Sequence, residues 1–348
     1  MRVSIQLAAE QAPWEELVSY VCEAERLGVE LCWVAEAWGC DAATPIGFLA
    51  ARTERMRFGS GIMQLGARTP AMTAMTALTL ARISGDRYCL GLGASGPQVM
   101  EGLHGVRYGG ALGRMRETVE IVRLAFAGER ISHAGTHFPL PLPGGEGRAL
   151  RLSQPANPGI PIYLATLSPK MLELTGEVAD GWLGTSFVPE AAAAYLEPLA
   201  AGAARAGRSL ADLDICQGAE VAFGDDVEAM VARRKPGMAF SLGGMGSATT
   251  NFYNRAYARQ GWAEAAAEVQ RLWVEGRRDE AAARVPDEMV LSTTLIGTEA
   301  MVRERLLRWR DAGVTTVRLY PAGETLEARL TTLARALEMI GSPEMTRA

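Results

Sequence analysis

The stretch EAMVRERLLRWRDAGVTTVRLYP, residues 299–321, contains the structural unit that recurs along this chain. Its first half has apolar residues at helical spacing, and Gly313 can end that helix. Residues 315–320 then form a short apolar run that is typical of a buried strand. The same order of helix, turn and strand is found at residues 13–38, 72–93 and 168–186. Repeated helix–strand units predict a parallel β-sheet.

The length of the chain indicates how that sheet is organised. The first unit begins at residue 3, and the last ends near residue 320 of the 348 residues. This leaves room for about eight units, the number in a TIM barrel. The pattern therefore predicts an α/β fold, a TIM-like (β/α)8 barrel that forms a single domain over residues 1–348. An open, doubly wound sheet is the alternative.

Two stretches interrupt the regular alternation. Residues 129–158 are rich in proline and glycine, which predicts a hairpin or loop insertion. Residues 225–290 have a helix-forming composition around the segment SLGGMGSATTN, residues 241–251. They predict a helical, partly flexible insertion between the seventh and eighth strands. In barrels, loops at the carboxyl ends of the strands shape the pocket.

Composition and charge exclude several classes of function. The formal net charge is −5 and the basic residues are scattered, so we expect no binding of nucleic acid. No run of about 18 apolar residues occurs, so we expect no membrane contact. No basic and apolar leader precedes the first strand, which favours a cytoplasmic protein. Five cysteines without a CxxC pair, and only three histidines, predict no metal site.

Small residues follow several predicted strands. The segments are VAEAWGCDA (34–42), FGSGIMQLGARTP (58–70), LGLGASGPQVMEGLHG (90–105) and YLATLSPKM (163–171). Small residues let a flat ligand approach the backbone closely and supply neutral hydrogen bonds. These segments, at the carboxyl ends of the predicted strands, provide neither a pair of acids at two strand ends nor a Ser–His–Asp set, which disfavours a glycosidase or a serine hydrolase.

The segment YLATLSPKM predicts a phosphate site. Ser168 can cap a helix whose first residue is Pro169. The free amides at such a helix start attract anions, and Thr166 and Ser168 add hydroxyls. An ordinary capped helix without a ligand is the alternative. The segment GLGASGP (91–97) departs from the GxGxxG spacing and does not predict a Rossmann nucleotide loop.

Together and in this order, these segments, with SPKMLELTGEVADGWL (168–183), resemble the luciferase-like monooxygenase superfamily. More narrowly, they resemble its F420-dependent oxidoreductase branch. The resemblance implies a TIM-like barrel of the luciferase-like type, a homodimer, and coenzyme F420 at the carboxyl ends of the strands, with FMN as the alternative cofactor. It also implies a non-prolyl cis peptide bond at Gly61–Ile62.

The resemblance further implies a set of site residues. The cofactor-binding candidates lie after the third to sixth strands: Gly61, Ile62, Gly93, Ala94, Ser95, Ala165, Thr166, Leu167, Ser168 and Thr185. Three residues are candidates for the catalytic side. Trp38 can line the substrate side of the pocket, or it can be a packed core residue at the rim of the barrel. Glu36 can donate a proton, if burial raises its pKa, or form a salt bridge below the barrel mouth. His104 can reach the pocket or face solvent.

Departures from the family pattern indicate the direction of the reaction. Members that oxidise sugars and alcohols have a catalytic histidine and a carboxylate where this chain has Ala37 and Gly96. Oxidation of an alcohol needs a base for the hydroxyl proton. We therefore expect a reductase that passes hydride from F420H2 to an activated C=C or C=N bond of a small organic molecule, a natural product or a modified peptide. The alternatives are an FMNH2-dependent monooxygenase and a non-catalytic deazaflavin-binding protein.

Overall fold

The computed structural model describes residues 1–10, 12–247 and 249–346. Within them, eight parallel strands form a closed barrel, and the eighth strand pairs with both the first and the seventh. The strands are Arg2–Leu7, Leu31–Val34, Arg57–Ser60, Tyr88–Gly93, Ile162–Ala165, Gly181–Gly184, Asp214–Phe223 and Thr316–Pro321. This closure confirms the predicted TIM-like barrel. The alternative of an open sheet is wrong.

Two shorter strands extend the barrel at its carboxyl edge. Met63–Gln64 pairs with the end of the fourth strand, and Leu295–Gly297 pairs with the end of the seventh. Met63–Gln64 follows the third strand after a break at residues 61–62. The third strand is therefore interrupted at the edge where ligands bind in barrels of this type.

Helices surround the barrel and connect its strands. The described helices are α1 Trp14–Arg26, α2 Ala43–Ala50, α3 Pro70–Ser84, α4 Pro97–Gly102, α5 Ala111–Phe126, α6 Pro169–Val178, α7 Ala193–Arg205, α8 Val227–Gly243, α9 Phe252–Tyr257, α10 Ala263–Val274, α11 Arg278–Ala283, α12 Asp287–Thr293, α13 Glu299–Asp311, α14 Leu326–Ile340 and α15 Pro343–Thr346. Local signals set their ends. Thr69 caps α3 by accepting from the Met72 amide, and Gly85 ends it with a φ of 67°. No described helix has the length and apolar character needed to cross a bilayer.

The interior of the barrel is filled by large side chains that glycines on neighbouring strands accommodate. Trp33 and Tyr163 pack edge to face there, with ring centroids 5.0 Å apart. A Cβ atom on Gly59 would lie 2.3 Å from the Trp33 ring, and one on Gly181 would lie 2.1 Å from the Tyr163 ring. These two glycines are needed because the aromatic rings occupy the space that their side chains would take.

The two irregular stretches occupy different places in the fold. Residues 129–158 contain no helix and one isolated antiparallel bridge, between His133 and Leu140. The Glu117 carboxylate accepts hydrogen bonds from three backbone amides of this loop. Helices α8 to α12 lie between the seventh and eighth barrel strands and bury an apolar cluster of their own. Ala248, in the segment predicted to be flexible, lies outside the described residues.

Candidate active site

A cleft of about 920 Å³ opens at the carboxyl ends of the second to fifth strands. The insertion between the seventh and eighth strands covers its other side. The lining comes from the ends of these strands, from α4 to α6 and from the insertion: residues 35–38, 61–62, 93–96, 98–99, 102–103, 108, 111–112, 165–168, 170–171, 240, 244–246 and 252–253. The cleft is large enough for a planar tricyclic ring with a substrate beside it.

The floor of the cleft is formed where the third strand breaks. The peptide bond between Gly61 and Ile62 is cis, as the resemblance implies. Gln6 from the first strand donates from its Nε2 to the Gly61 carbonyl oxygen at 3.3 Å. A Cβ atom on Gly93 would lie 2.6 Å from Cδ1 of Ile62. Ile62 therefore packs directly on the fourth strand, and the two positions form a low, apolar surface on which a flat ring can rest.

Glu36 is buried beside this floor and is held by four hydrogen-bond donors. Arg68 donates from both terminal nitrogens, at 2.6 and 2.8 Å, to the two carboxylate oxygens. The backbone amides of Ala42 and Gln64 donate to the same oxygens at 3.0 and 3.2 Å. A proton on Glu36 would face one of these donors and break its hydrogen bond. The predicted role of Glu36 as a proton donor is therefore not supported, and the geometry is that of a structural ion pair.

Trp38 stands at the rim of the same cleft. Its exposed fraction is 64%, so it is not part of the core of the rim. An exposed indole at the mouth of a pocket can cover an apolar ligand and displace water from it. The position favours the wall role that was predicted for the substrate side.

The predicted helix start at the end of the fifth strand is present. Ser168 occupies the N-cap position of α6, Pro169 is the first helical residue, and the Ser168 side chain makes no capping bond. Thr175 donates its hydroxyl proton to the Met171 carbonyl. The 2.8 Å bond between the hydroxyls of Thr166 and Thr175 therefore uses the Thr166 proton. The Thr166 hydroxyl therefore has no proton left to donate to a phosphate. The Ser168 hydroxyl, which makes no capping bond, still has one.

Similarity to known proteins identifies the family of the chain. The family model described as luciferase-like monooxygenase matches residues 1–316. The chain belongs to the luciferase-like monooxygenase family. A putative coenzyme F420-dependent oxidoreductase of Mycobacterium tuberculosis is 41% identical over 94% of this chain and 97% of its own length. The 5,10-methylenetetrahydromethanopterin reductase of Archaeoglobus fulgidus is 30% identical over 87% of this chain and 88% of its own.

Solved structures share the fold of this luciferase-like chain. The coenzyme F420-dependent tetrahydromethanopterin reductase of Methanopyrus kandleri has a TM-score of 0.79 at 22% identity. The match covers 96% of this chain and 97% of the other. At this level of identity the likeness shows the barrel and not the substrate.

Two predicted residues of this luciferase-like chain lie outside the cleft lining. His104 lies in the turn after α4, and its buried Nε2 has no hydrogen-bond partner among the described residues. Thr185 follows the sixth strand, and its carbonyl oxygen accepts from the Tyr195 hydroxyl at 3.5 Å. Neither side chain is among the described residues that line the cleft. Their predicted contacts with ligand are therefore not supported, although Leu103, next to His104, does line the cleft.

The structure of this luciferase-like chain also adds cations that the sequence pattern did not single out. Arg259, in the π-helical turn after α9, donates from Nη2 to the carbonyl oxygen of Leu167. Its buried Nε has no partner among the described residues, and burial lowers the pKa of this guanidinium. Lys170 lines the cleft next to the start of α6. Lys170 thus lies in the lining where a phosphate was predicted, and Arg259 contacts Leu167 of the same lining from behind.

Proposed function

We propose that the chain is an F420H2-dependent reductase that transfers hydride to an activated C=C or C=N bond. The observation that carries the proposal is the absence of a free base in the cleft. Among the described lining residues only Glu36 and Lys170 carry a charge, and Glu36 is bound to Arg68. Ala37 and Gly96 line the cleft at the positions of the family's catalytic histidine and carboxylate. Hydride delivery to an activated double bond needs no base in the cleft.

The residues present fit coenzyme F420. The apolar floor at Ile62 and Gly93 suits a planar deazaflavin ring, and Ala94 and Ser95 lie beside it in the lining. The start of α6 and the unpartnered Nε of Arg259 suit the phosphate. When bound, reduced F420 would supply the hydride that adds to one atom of the double bond and would itself be oxidised, and the proton on the other atom would come from water. The name of the Mycobacterium tuberculosis relative supports this cofactor.

The other wall of the cleft indicates what kind of substrate fits. Phe240, Met245, Phe252 and Tyr253 of the insertion face the cleft, and Trp38 stands at the opposite rim. This apolar and aromatic lining binds an apolar substrate and excludes water from the reacting carbon atoms. We therefore infer a small organic molecule or natural product, rather than a sugar, as the substrate.

A binding experiment tests the cofactor assignment. The purified chain is titrated with F420 and with FMN, and the fluorescence of each cofactor is followed. The proposal predicts that F420 binds more tightly than FMN. Tighter binding of FMN would favour the FMNH2-dependent monooxygenase, and tight F420 binding without turnover of any enone, enamide or imine would favour a non-catalytic deazaflavin-binding protein.

We also propose that the chain forms a homodimer through the outer face of α2 and α3. Five large apolar side chains are exposed there or at the adjoining start of α1: Trp14, Phe48, Met72, Met75 and Ile83. The rings of Trp14 and Phe48 touch edge to face, with centroids 6.0 Å apart, so the apolar surface continues from α1 to α2. Contiguous exposed apolar surface of this kind marks an interface. The cytoplasmic location stays a prediction.

A further inference from the structure

Arg318 is a buried cation for which the described residues provide no carboxylate partner. It is 7% exposed, and it is the only lysine or arginine that is buried in the described part of the chain. Its Nη2 donates to the Gly184 carbonyl oxygen at 3.2 Å, and its Nε has no hydrogen-bond partner among the described residues. Arg68, which is more exposed, is paired with Glu36. Burial of an unpaired charge is costly, so the fold holds a guanidinium that lacks its counter-ion.

The Arg318 guanidinium reaches the carboxyl edge of the barrel, and Tyr253 connects it with the lining of the cleft. Arg318 lies on the eighth strand, opposite Ser4 of the first strand and Gly218 of the seventh. Its contact with the Gly184 carbonyl is at the last residue of the sixth strand, the edge at which the cleft opens. The floor for the cofactor is built from the second to fifth strands. Arg318 lies on another strand of the barrel and does not itself line the cleft.

Two tyrosines accompany the guanidinium. The Cζ atom of Arg318 lies 5.7 Å from the centre of the Tyr320 ring. A Cβ atom on Gly218 would lie 2.5 Å from the Tyr320 hydroxyl and 2.8 Å from Nη2 of Arg318, so both groups meet over this glycine. Tyr253 of α9 lines the cleft and interacts electrostatically with both residues. Burial raises the pKa of Tyr253, which keeps its hydroxyl protonated as a hydrogen-bond donor.

The acidic side chain closest to this group in strand register is already paired. Glu220 of the seventh strand lies opposite Tyr320 in the register. It forms an ion pair with Arg234 at 3.2 Å. The N–H and O–H donors of this group therefore have no carboxylate acceptor among the described residues. The group consists of Arg318, Tyr320 and Tyr253.

We propose that Arg318, Tyr320 and Tyr253 form an anion subsite that receives the carboxylate of the substrate. A guanidinium binds a planar carboxylate with two parallel hydrogen bonds, and the tyrosine hydroxyls can donate to the same oxygens. Tyr253 is the member of the subsite that lines the cleft, and Arg318 and Tyr320 lie behind it. Resting on the reductase proposed above, the subsite specifies the substrate class: α,β-unsaturated carboxylic acids with an apolar substituent on the far side of the double bond.

A binding comparison on the wild-type chain tests the subsite without cofactor. Cinnamate and cinnamamide have the same apolar part and differ in the charge of one group. Each is titrated into the protein while tryptophan fluorescence and the thermal midpoint are followed. We expect cinnamate to bind about 10- to 100-fold more tightly, the difference that a hydrogen-bonded charge provides. Equal binding of the two compounds to the wild-type chain would overturn the proposal.

Substitutions then assign the preference to the guanidinium. Arg318→Met is expected to remove the preference for cinnamate, and Arg318→Lys to keep part of it because the charge remains. Arg57→Gln is the matched control, since Arg57 lies at the start of the third strand and donates to the Cys89 sulfur. It is expected to keep the full preference. A preference that persists in a folded Arg318→Met chain contradicts the subsite. If that variant does not fold, the comparison of Arg318→Lys with the wild type decides.

Turnover separates the failure of the subsite from the failure of the reductase. Anaerobic oxidation of F420H2 is measured with cinnamate and with cinnamamide. Preferential binding of cinnamate without turnover of either compound would keep the subsite and count against the reductase. Turnover of both compounds at equal kcat/KM, with equal binding, would keep the reductase and reject the subsite.

Discussion

Arg68 and Glu36 form a two-pronged ion pair directly beside the floor of the cleft, with N–O distances of 2.6 and 2.8 Å. The side chain of Glu36 is 7% exposed and that of Arg68 is 16% exposed. Hydrogen bonding to Glu36 is the largest influence on Arg68 and raises its pKa. The pair ties the end of the second strand to the loop after the third strand, and so supports the backbone around Gly61–Ile62.

We expect Glu36→Gln to lower stability without changing the chemistry of proton transfer. The substitution leaves the Arg68 charge buried without its partner, which costs about 3–5 kcal/mol in the free energy of unfolding. Urea denaturation measures this loss. The pH dependence of kcat should stay as in the wild type. A variant of unchanged stability with a shifted pH profile would show that Glu36 is the proton donor after all.

Gly93→Ala should weaken binding of F420. The added methyl group would lie 2.6 Å from Cδ1 of Ile62, which must then move up into the space of the ring. Overpacking of this kind costs about 1–3 kcal/mol, and we expect the Kd for F420 to rise by about tenfold or more. Gly109→Ala is the control, because a Cβ atom there meets nothing within 4 Å. If both variants bind F420 as the wild type does, the floor is not where the ring lies.

Arg259→Met should weaken binding of F420 more than binding of a deazaflavin that lacks the phosphate. The reason is that Arg259 reaches the Leu167 carbonyl at the start of α6, where the phosphate is expected. Loss of a hydrogen bond to a charged group costs about 1.5–3 kcal/mol. Isothermal titration of both ligands provides the comparison. Arg255→Met, on the same segment, is the control, since Arg255 is exposed and contacts the Thr249 carbonyl. An equal loss for both ligands would place the phosphate elsewhere.

Glu117 should make stability depend on pH in the acid range. Burial alone would raise the pKa of Glu117, but hydrogen bonds from the amides of Phe138, His137 and Thr136 lower it below its usual 4.5. Its contribution is therefore present above about pH 4.5 and is lost as the pH falls through the lowered value. We expect Glu117→Gln to cost about 1–3 kcal/mol at pH 7. That difference from the wild type should shrink below pH 4.5. A difference that is the same at pH 7 and pH 3 would contradict this assignment.

Phe48→Glu should convert the proposed homodimer to a monomer. The charged side chain would lie in the centre of the apolar patch on α2 and α3, where it would remain buried and unpaired in a dimer. Light scattering coupled to size exclusion gives the mass of the particle. Val274→Glu, at the exposed end of α10, is the matched control and should leave the mass unchanged. If the wild-type protein has the mass of a single chain, the proposed homodimer is wrong.

The barrel could be predicted because its signals are local. Apolar spacing, Gly313 and the Ser168–Pro169 pair each lie within one helix–strand unit, and the structure has the expected elements at these positions. The cis bond at Gly61–Ile62 was reached through the family resemblance rather than from the residues themselves.

The parts of the site that could not be predicted depend on pairs that are distant in sequence. Arg68 meets Glu36 across a strand and a loop, and Arg259 meets Leu167 from an insertion 92 residues further along the chain. Arg318 belongs to the strand predicted at residues 315–320, but a strand pattern does not reveal that this arginine is buried without an acidic partner among the described residues. The side chain of His104 could not be placed from the sequence, because the turn after α4 decides which way it points.

Anaerobic turnover tests the central claim most directly. F420H2 is mixed with the chain and a panel of activated alkenes and imines in the absence of oxygen, and recovery of the absorbance of oxidised F420 is followed. The account predicts oxidation of F420H2 that depends on both the protein and the substrate, with FMNH2 inactive under the same conditions. Consumption of FMNH2 that requires oxygen, with no oxidation of F420H2, would contradict it.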